Sequence, residues 1–77
     1  MSISQEVRNK AGEGRAYGNL GSAYLNLGDY TKSIAYYQLH LGTAKEVGDR
    51  AVEGNAYGCL GNGYCSLGDY KKGVEYL

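Results

Sequence analysis

A forty-residue internal repeat constrains the fold of this chain more than any other feature. Residues 11–37 align without a gap with residues 51–77, and fifteen of the twenty-seven aligned positions are identical. A fixed period of roughly 20 to 50 residues is typical of stacked repeats, in which each unit buries its apolar face on the next. The alignment divides a single array into the end of a preceding repeat (1–10), one complete repeat (11–50) and a partial second repeat (51–77).

Apolar spacing predicts two helices in each repeat. Steps of three and four residues place side chains on one face of a helix. The apolar face of the first helix consists of Tyr17, Leu20, Tyr24 and Leu27, and that of the second consists of Tyr30, Ile34, Tyr37, Leu41 and Ala44. The complete repeat is therefore expected to be a pair of helices.

Gly-Asp pairs predict where these helices end and begin. Glycine accepts the left-handed conformation that closes a helix, and aspartate caps the next N-terminus. Such pairs occur at 28–29 and 48–49, and the link is so short that the two helices must fold back on each other. Because the chain has no proline and no alternating strand pattern, we expect an all-α fold of antiparallel helical hairpins.

Charge and hydropathy exclude two classes of partner. The chain carries eight basic and eight acidic residues, so its formal net charge is zero. Nucleic acids and anionic membranes attract proteins with an excess of basic residues, and we expect neither as a partner. No apolar run of about 18 residues and no leader segment is visible, which predicts a soluble protein.

The chain offers few residues for chemistry. Cys59 and Cys65 lie six positions apart, which on one helix is too far for a disulfide. With the distant His40 they match no metal-ligand spacing. Residues 12–18, GEGRAYG, lack the preceding strand of a dinucleotide-binding loop, and no catalytic Ser/His/Asp set is visible. We expect no enzyme activity, cofactor or metal, and reduced thiols typical of the cytoplasm.

The motif positions resemble those of the tetratricopeptide repeat. That family has an aromatic-x-x-Leu-Gly-x-x-Tyr core, and this chain carries it twice, followed each time by Gly-x-Tyr and a small residue. The first copy of the pattern is Tyr17, Leu20, Gly21, Tyr24, Gly28, Tyr30 and Ser33, and the second is Tyr57, Leu60, Gly61, Tyr64, Gly68, Tyr70 and Gly73. Tyrosine replaces the usual tryptophan, the terminal proline is missing, and the period is forty rather than thirty-four.

Forty-residue units with the segments AYGNLG, LGDY and AKEVGDRA are similar to the arrays of Leu-Gly-Asn repeat (LGN/Pins) G-protein-signalling modulators. They also resemble nephrocystin-like and kinesin-light-chain-like arrays. The resemblance implies a cytoplasmic scaffold or adaptor, built as a right-handed α-solenoid. Its concave groove, formed mainly by the first helix of each repeat, would hold a peptide segment of a partner protein.

Positions that face the groove in the family carry over to seven polar residues of this chain. Four of them step by four, three and four along the first helix, so they share a polar stripe beside its apolar one. Asparagine amides can pair with a peptide backbone, and Arg15 can bind a carboxylate, which favours a partner with acidic residues. The predicted peptide-binding residues are Arg15, Asn19, Ser22, Asn26, Asn55, Asn62 and Ser66.

Two alternatives to the groove remain open. The polar stripe can be a solvated helix face, and the repeats can be a structural spacer within a larger protein. Both ends of the array also expose surface meant for another repeat. We therefore expect the isolated chain to associate end to end or to exchange helices with another copy.

Glycines and tyrosines have expected structural roles. We expect Gly21 and Gly61 to let a partner helix approach closely, and Gly18 and Gly58 to keep the groove open. Tyr36 and Tyr76 are expected to be less constrained and to contact a neighbour. Buried packing is expected for the tyrosines at the motif positions, which are Tyr17, Tyr24, Tyr30, Tyr57, Tyr64 and Tyr70.

Overall fold

Four α-helices joined by two-residue turns make up the described part of the chain. A computed structural model describes residues 2–76, and describes side chains from residue 8 onward. The helices are α1 (Ser2–Leu27), α2 (Tyr30–Val47), α3 (Arg50–Leu67) and α4 (Tyr70–Tyr76). No strand occurs among these residues. The prediction of an all-α fold of helical hairpins is confirmed.

The three turns share one geometry. Gly28, Gly48 and Gly68 all have positive φ angles, of 84°, 80° and 99°. The aspartate that follows each glycine accepts a hydrogen bond from the backbone N–H three residues later, for example Asp49 from Val52 at 3.1 Å. These are the left-handed C-terminal glycine and the N-cap that end one helix and begin the next. Each Gly-Asp pair therefore sets a helix boundary, as predicted.

One predicted boundary lies inside a helix. Arg8 and Asn9 stand where the repeat alignment would place the Gly48-Asp49 turn, and α1 runs through them without a break. Arginine does not favour the left-handed conformation that ends a helix at glycine. The division between a preceding repeat and the complete repeat, at residue 10, stays a prediction from sequence.

The core forms where α2 packs against both α1 and α3. Tyr37 is 2% exposed, and Ile34 and Leu60 belong to the same buried cluster. Gly21 lies directly under the Tyr37 ring, because a Cβ placed on it would come within 2.6 Å of two ring carbons. The buried Ser33 hydroxyl donates to the Gly21 carbonyl at 2.7 Å. The predicted close approach at Gly21 is therefore confirmed.

Gly18 has a different role from the one predicted. Instead of keeping a groove open, it packs against α2, where a Cβ would meet the His40 ring at 3.2 Å. His40 Nδ1 lies 2.6 Å from the Gly14 carbonyl oxygen, which can only accept, so Nδ1 carries the proton. The prediction failed because the ring of His40, on α2, occupies the space beside Gly18. At Gly58 a Cβ would meet no atom within 4 Å.

Tyr36 and Tyr76 are not free to contact a neighbour, contrary to prediction. Tyr36 stacks on Tyr24 with ring centroids 5.5 Å apart and an interplanar angle of 4°. Tyr76 stacks on Tyr64 in the same way, at 5.6 Å and 3°. Each pair joins the two helices of one hairpin, so these tyrosines pack within their own repeat.

Several positions predicted to be buried are exposed. Leu27 is 78% exposed and Leu20 is 40% exposed on α1. Tyr70 is 68% exposed, because within the described residues no helix covers the outer face of α4. The other five motif tyrosines are half-buried. Leu77, the repeat counterpart of the buried Tyr37, lies outside the described residues.

Candidate functional site

The seven predicted binding residues lie on α1 and α3, the two helices that flank α2. All seven belong to the exposed surface. Four are on α1 and three are on α3, at the spacings that the sequence predicts. Exposure alone does not distinguish a binding stripe from a solvated face, so their binding role stays a prediction. The residues are Arg15, Asn19, Ser22, Asn26, Asn55, Asn62 and Ser66.

Tyr37 of α2 lies at the seam between α1 and α3, where its ring contacts Gly21 on one side and Gly63 on the other. Its hydroxyl lies 3.0 Å from the Ser22 hydroxyl of α1, and the half-buried Cys59 of α3 packs against the core cluster that contains Tyr37. Cys59 is the repeat counterpart of Asn19, so the buried tyrosine lies between a predicted binding residue of α1, Ser22, and a counterpart position on α3. The apolar spacing correctly predicts that Tyr37 is buried. It does not predict that the hydroxyl reaches the seam between α1 and α3.

A cleft of about 220 Å³ opens beside Arg15. Its walls come from α1, the end of α2 and the start of α3, and most of them are small or apolar. Lys10 and Arg15 contribute the basic groups, while Asp49 also lines the cleft and caps α3. Apart from Arg15, none of these residues is predicted from the sequence, although the small Gly14 at a helix contact is a local signal for one of them. The cleft is lined by Lys10, Ala11, Gly14, Arg15, Thr43, Ala44, Val47, Asp49 and Val52.

Ion pairing orders part of the cleft edge. Lys10 Nζ lies 3.1 Å from a carboxylate oxygen of Glu46, which joins α1 to α2. The hydrogen bond to Glu46, followed by the attraction of its charge and that of Glu13, raises the pKa of Lys10. Within the described residues, Arg15 has no ion pair. Arg15 is therefore the cation of the cleft that is available to an added carboxylate.

A second charged contact lies between α2 and α3. Lys45 Nζ is 5.6 Å from the centroid of the Tyr57 ring. The hydrogen bond to the Tyr57 hydroxyl is the main cause of the raised pKa of Lys45. Gln38 donates to the Tyr64 hydroxyl at 3.1 Å across the same two helices. These exposed polar contacts join α3 to α2 beside their buried apolar contact.

The described residues contain no group of three or more metal-binding side chains. Cys59 and Cys65 are free thiols. Burial raises the pKa of the Cys59 thiol, and the Tyr37 hydroxyl partly opposes this effect. A raised pKa disfavours the reactive thiolate at neutral pH. Among the described helices, none is long and apolar enough to cross a membrane.

Successive helices joined by matching Gly-Asp turns, each packed on its neighbour, define a helical-hairpin repeat protein. Its particular family follows from a comparison with protein-family models. The model described as tetratricopeptide repeat matches residues 12–77, so the chain belongs to the tetratricopeptide repeat family. A comparison with curated proteins found no match. Repeats of this family are generally protein-interaction modules and typically have no catalytic role.

Proposed function

We propose that this chain is a scaffold module that holds a peptide segment of a partner protein along α1 and α3. The observation that carries the proposal is the cleft beside Arg15, where small apolar walls adjoin an arginine without an ion pair in the described residues. An apolar pocket with a few convergent polar groups is the usual form of a ligand site. The cleft would take a small side chain that is followed by a carboxylate.

The exposed amides extend this site along both helices. Asn19 on α1 and Asn55 and Asn62 on α3 can each donate and accept hydrogen bonds, as a peptide backbone requires. The seam at Tyr37 lies between the exposed amide on α1 and those on α3. A peptide in contact with both helices would therefore cross this seam. We propose an extended or helical segment with at least one acidic residue as the ligand.

Balanced charge supports a protein partner over nucleic acid or a membrane surface. Free thiols and the family support a cytoplasmic location. The forty-residue period supports a relationship to the LGN/Pins-type, nephrocystin-like or kinesin-light-chain-like arrays. These three statements are parts of the proposal, together with the absence of enzyme activity.

A peptide-library experiment tests the proposed groove. Twelve-residue peptides selected on the intact chain should be enriched in acidic residues. Arg15→Gln and Asn62→Ala should weaken the selected peptides, the former by about tenfold or more, because hydrogen bonds to charged groups contribute about 1.5 to 3 kcal/mol. Thr31→Ala, an exposed change on α2, is the matched control.

Two results would contradict the proposal. If the selected peptides bind Arg15→Gln and Asn62→Ala as tightly as the unchanged protein, they do not occupy this surface. If no peptide is enriched, the module is better explained as a spacer between other parts of a longer chain. Fluorescence anisotropy with labelled peptides measures both outcomes.

A further inference from the structure

The contact between α2 and α3 is built from a small set of apolar residues. Ala56 and Leu60 on α3 are 0% exposed, and Gly63 is buried in the same face. A Cβ placed on Gly63 would lie 3.0 Å from Cγ1 of Ile34. Ile34, on α2, is only 8% exposed. One row of α3 therefore covers the apolar side of α2.

The α1 helix presents nearly the same row to solvent. Forty residues before the α3 row are Ala16, Leu20 and Ala23, at identical spacing. Ala16 and Ala23 are exposed, and Leu20 is 40% exposed, although the matching leucine of α3 is fully buried. This exposed row of α1 therefore has nearly the same residues as the row of α3 that covers α2.

The α4 helix presents the matching surface. Val74 stands where α2 has Ile34, and it is 69% exposed instead of 8%. Tyr70 stands where α2 has the half-buried Tyr30, and it is 68% exposed. One chain therefore exposes, on α1 and on α4, the two surfaces of a helix contact. The same contact is already formed between α3 and α2.

We propose that α1 of a second copy of this chain packs on α4 as α3 packs on α2. The side-chain volumes agree with this placement. Ala23 adds one carbon relative to Gly63, while Val74 lacks one carbon relative to Ile34, so the volume of the pair is conserved. Volume-conserving exchanges are the ones that apolar contacts tolerate best. This contact is separate from the peptide surface and does not depend on the proposed function.

The geometry makes the association directional. The two surfaces differ, so each copy offers one of each kind and the contact is heterologous. A third copy can add to either end, which gives chains of copies instead of a closed dimer. Because α4 has seven residues and α2 has eighteen, the contact between copies is smaller than the one within the chain. We therefore expect weak association, which increases as the protein concentration is raised.

Complementary surface variants test the proposal by sedimentation velocity over a concentration series. Ala23→Asp removes the α1 surface, and Val74→Asp removes the α4 surface. Thr31→Asp adds the same charge on the exposed side of α2 and is the matched control. The unchanged chain and the control should both grow with concentration. Each surface variant alone should remain a monomer.

Mixing the two variants gives the decisive measurement. Val74→Asp keeps its α1 surface and Ala23→Asp keeps its α4 surface, so an equal mixture should form one junction and stop at a dimer. A monomeric unchanged chain at every concentration would overturn the proposal. Dimers of either variant alone would also overturn it, since they indicate a symmetric contact or exchanged helices. Circular dichroism checks folding, and Leu20→Asp replaces Ala23→Asp if that variant does not fold.

Discussion

Gly21 provides a quantitative test of how α1 and α2 pack. In a free helix, alanine is more favourable than glycine by about 1 kcal/mol. At Gly21, however, the added Cβ would lie 2.6 Å from two carbons of the Tyr37 ring, about 1 Å closer than an ordinary carbon contact. We expect Gly21→Ala to destabilise the fold, because steric overlap outweighs helix propensity.

The surroundings of Tyr37 determine the size of this effect. The ring is 2% exposed, and its hydroxyl lies 3.0 Å from the Ser22 hydroxyl. It cannot move aside without opening the packing of α2 against α1 and α3, so the overlap should cost about 3 kcal/mol, at the upper end of overpacking values. After the helix-propensity gain, the free energy of unfolding should fall by about 2 kcal/mol. For a chain of this size that lowers Tm by about 8 to 16 °C.

Gly58→Ala is the matched control for Gly21→Ala. It lies inside α3, and no atom is within 4 Å of its added Cβ, so the free energy of unfolding should rise by up to about 1 kcal/mol. Urea and thermal unfolding followed by circular dichroism measure both variants. The reasoning is refuted if Gly21→Ala is as stable as the unchanged protein, or if Gly58→Ala is the less stable of the two.

Two further predictions concern the seam between α1 and α3. Tyr37→Phe removes the hydroxyl that hydrogen-bonds Ser22, so urea unfolding should show a loss of about 1 kcal/mol, and an unchanged midpoint would show that this bond contributes nothing. Burial raises the pKa of the Cys59 thiol, so less thiolate is present at pH 8, and iodoacetamide should alkylate it more slowly in the folded chain than in urea. Peptide mass spectrometry measures this rate, and equal rates would contradict the assignment.

Local features of the sequence predict the helices and their ends. The left-handed glycine and the capping aspartate act within a few residues, so the turns at Gly28 and Gly48 can be recognised without tertiary information. The continuous α1 follows the same rule, since Arg8 stands at the position of a turn glycine.

Contacts between helices were harder to predict. The role of Gly18 depends on where His40 lies across the hairpin, and the stacking of Tyr36 depends on Tyr24 in another helix. Helical spacing identifies a face but does not identify which neighbour it meets. The same limit applies to the candidate site, where exposure of Asn19 follows from spacing but the cleft beside Arg15 exists only after three helices meet.

The order of helix packing described above also has consequences for folding. The main packing in the described chain is between α1 and α2, α2 and α3, and α3 and α4, so each contact closes a short loop. Such local contacts cost little entropy and favour rapid folding that spreads from one hairpin to the next. The α2 helix has two neighbours and carries most of the core, whereas the short α4 has one. Local opening should therefore start at α4, while α2 stays protected until the whole unit unfolds.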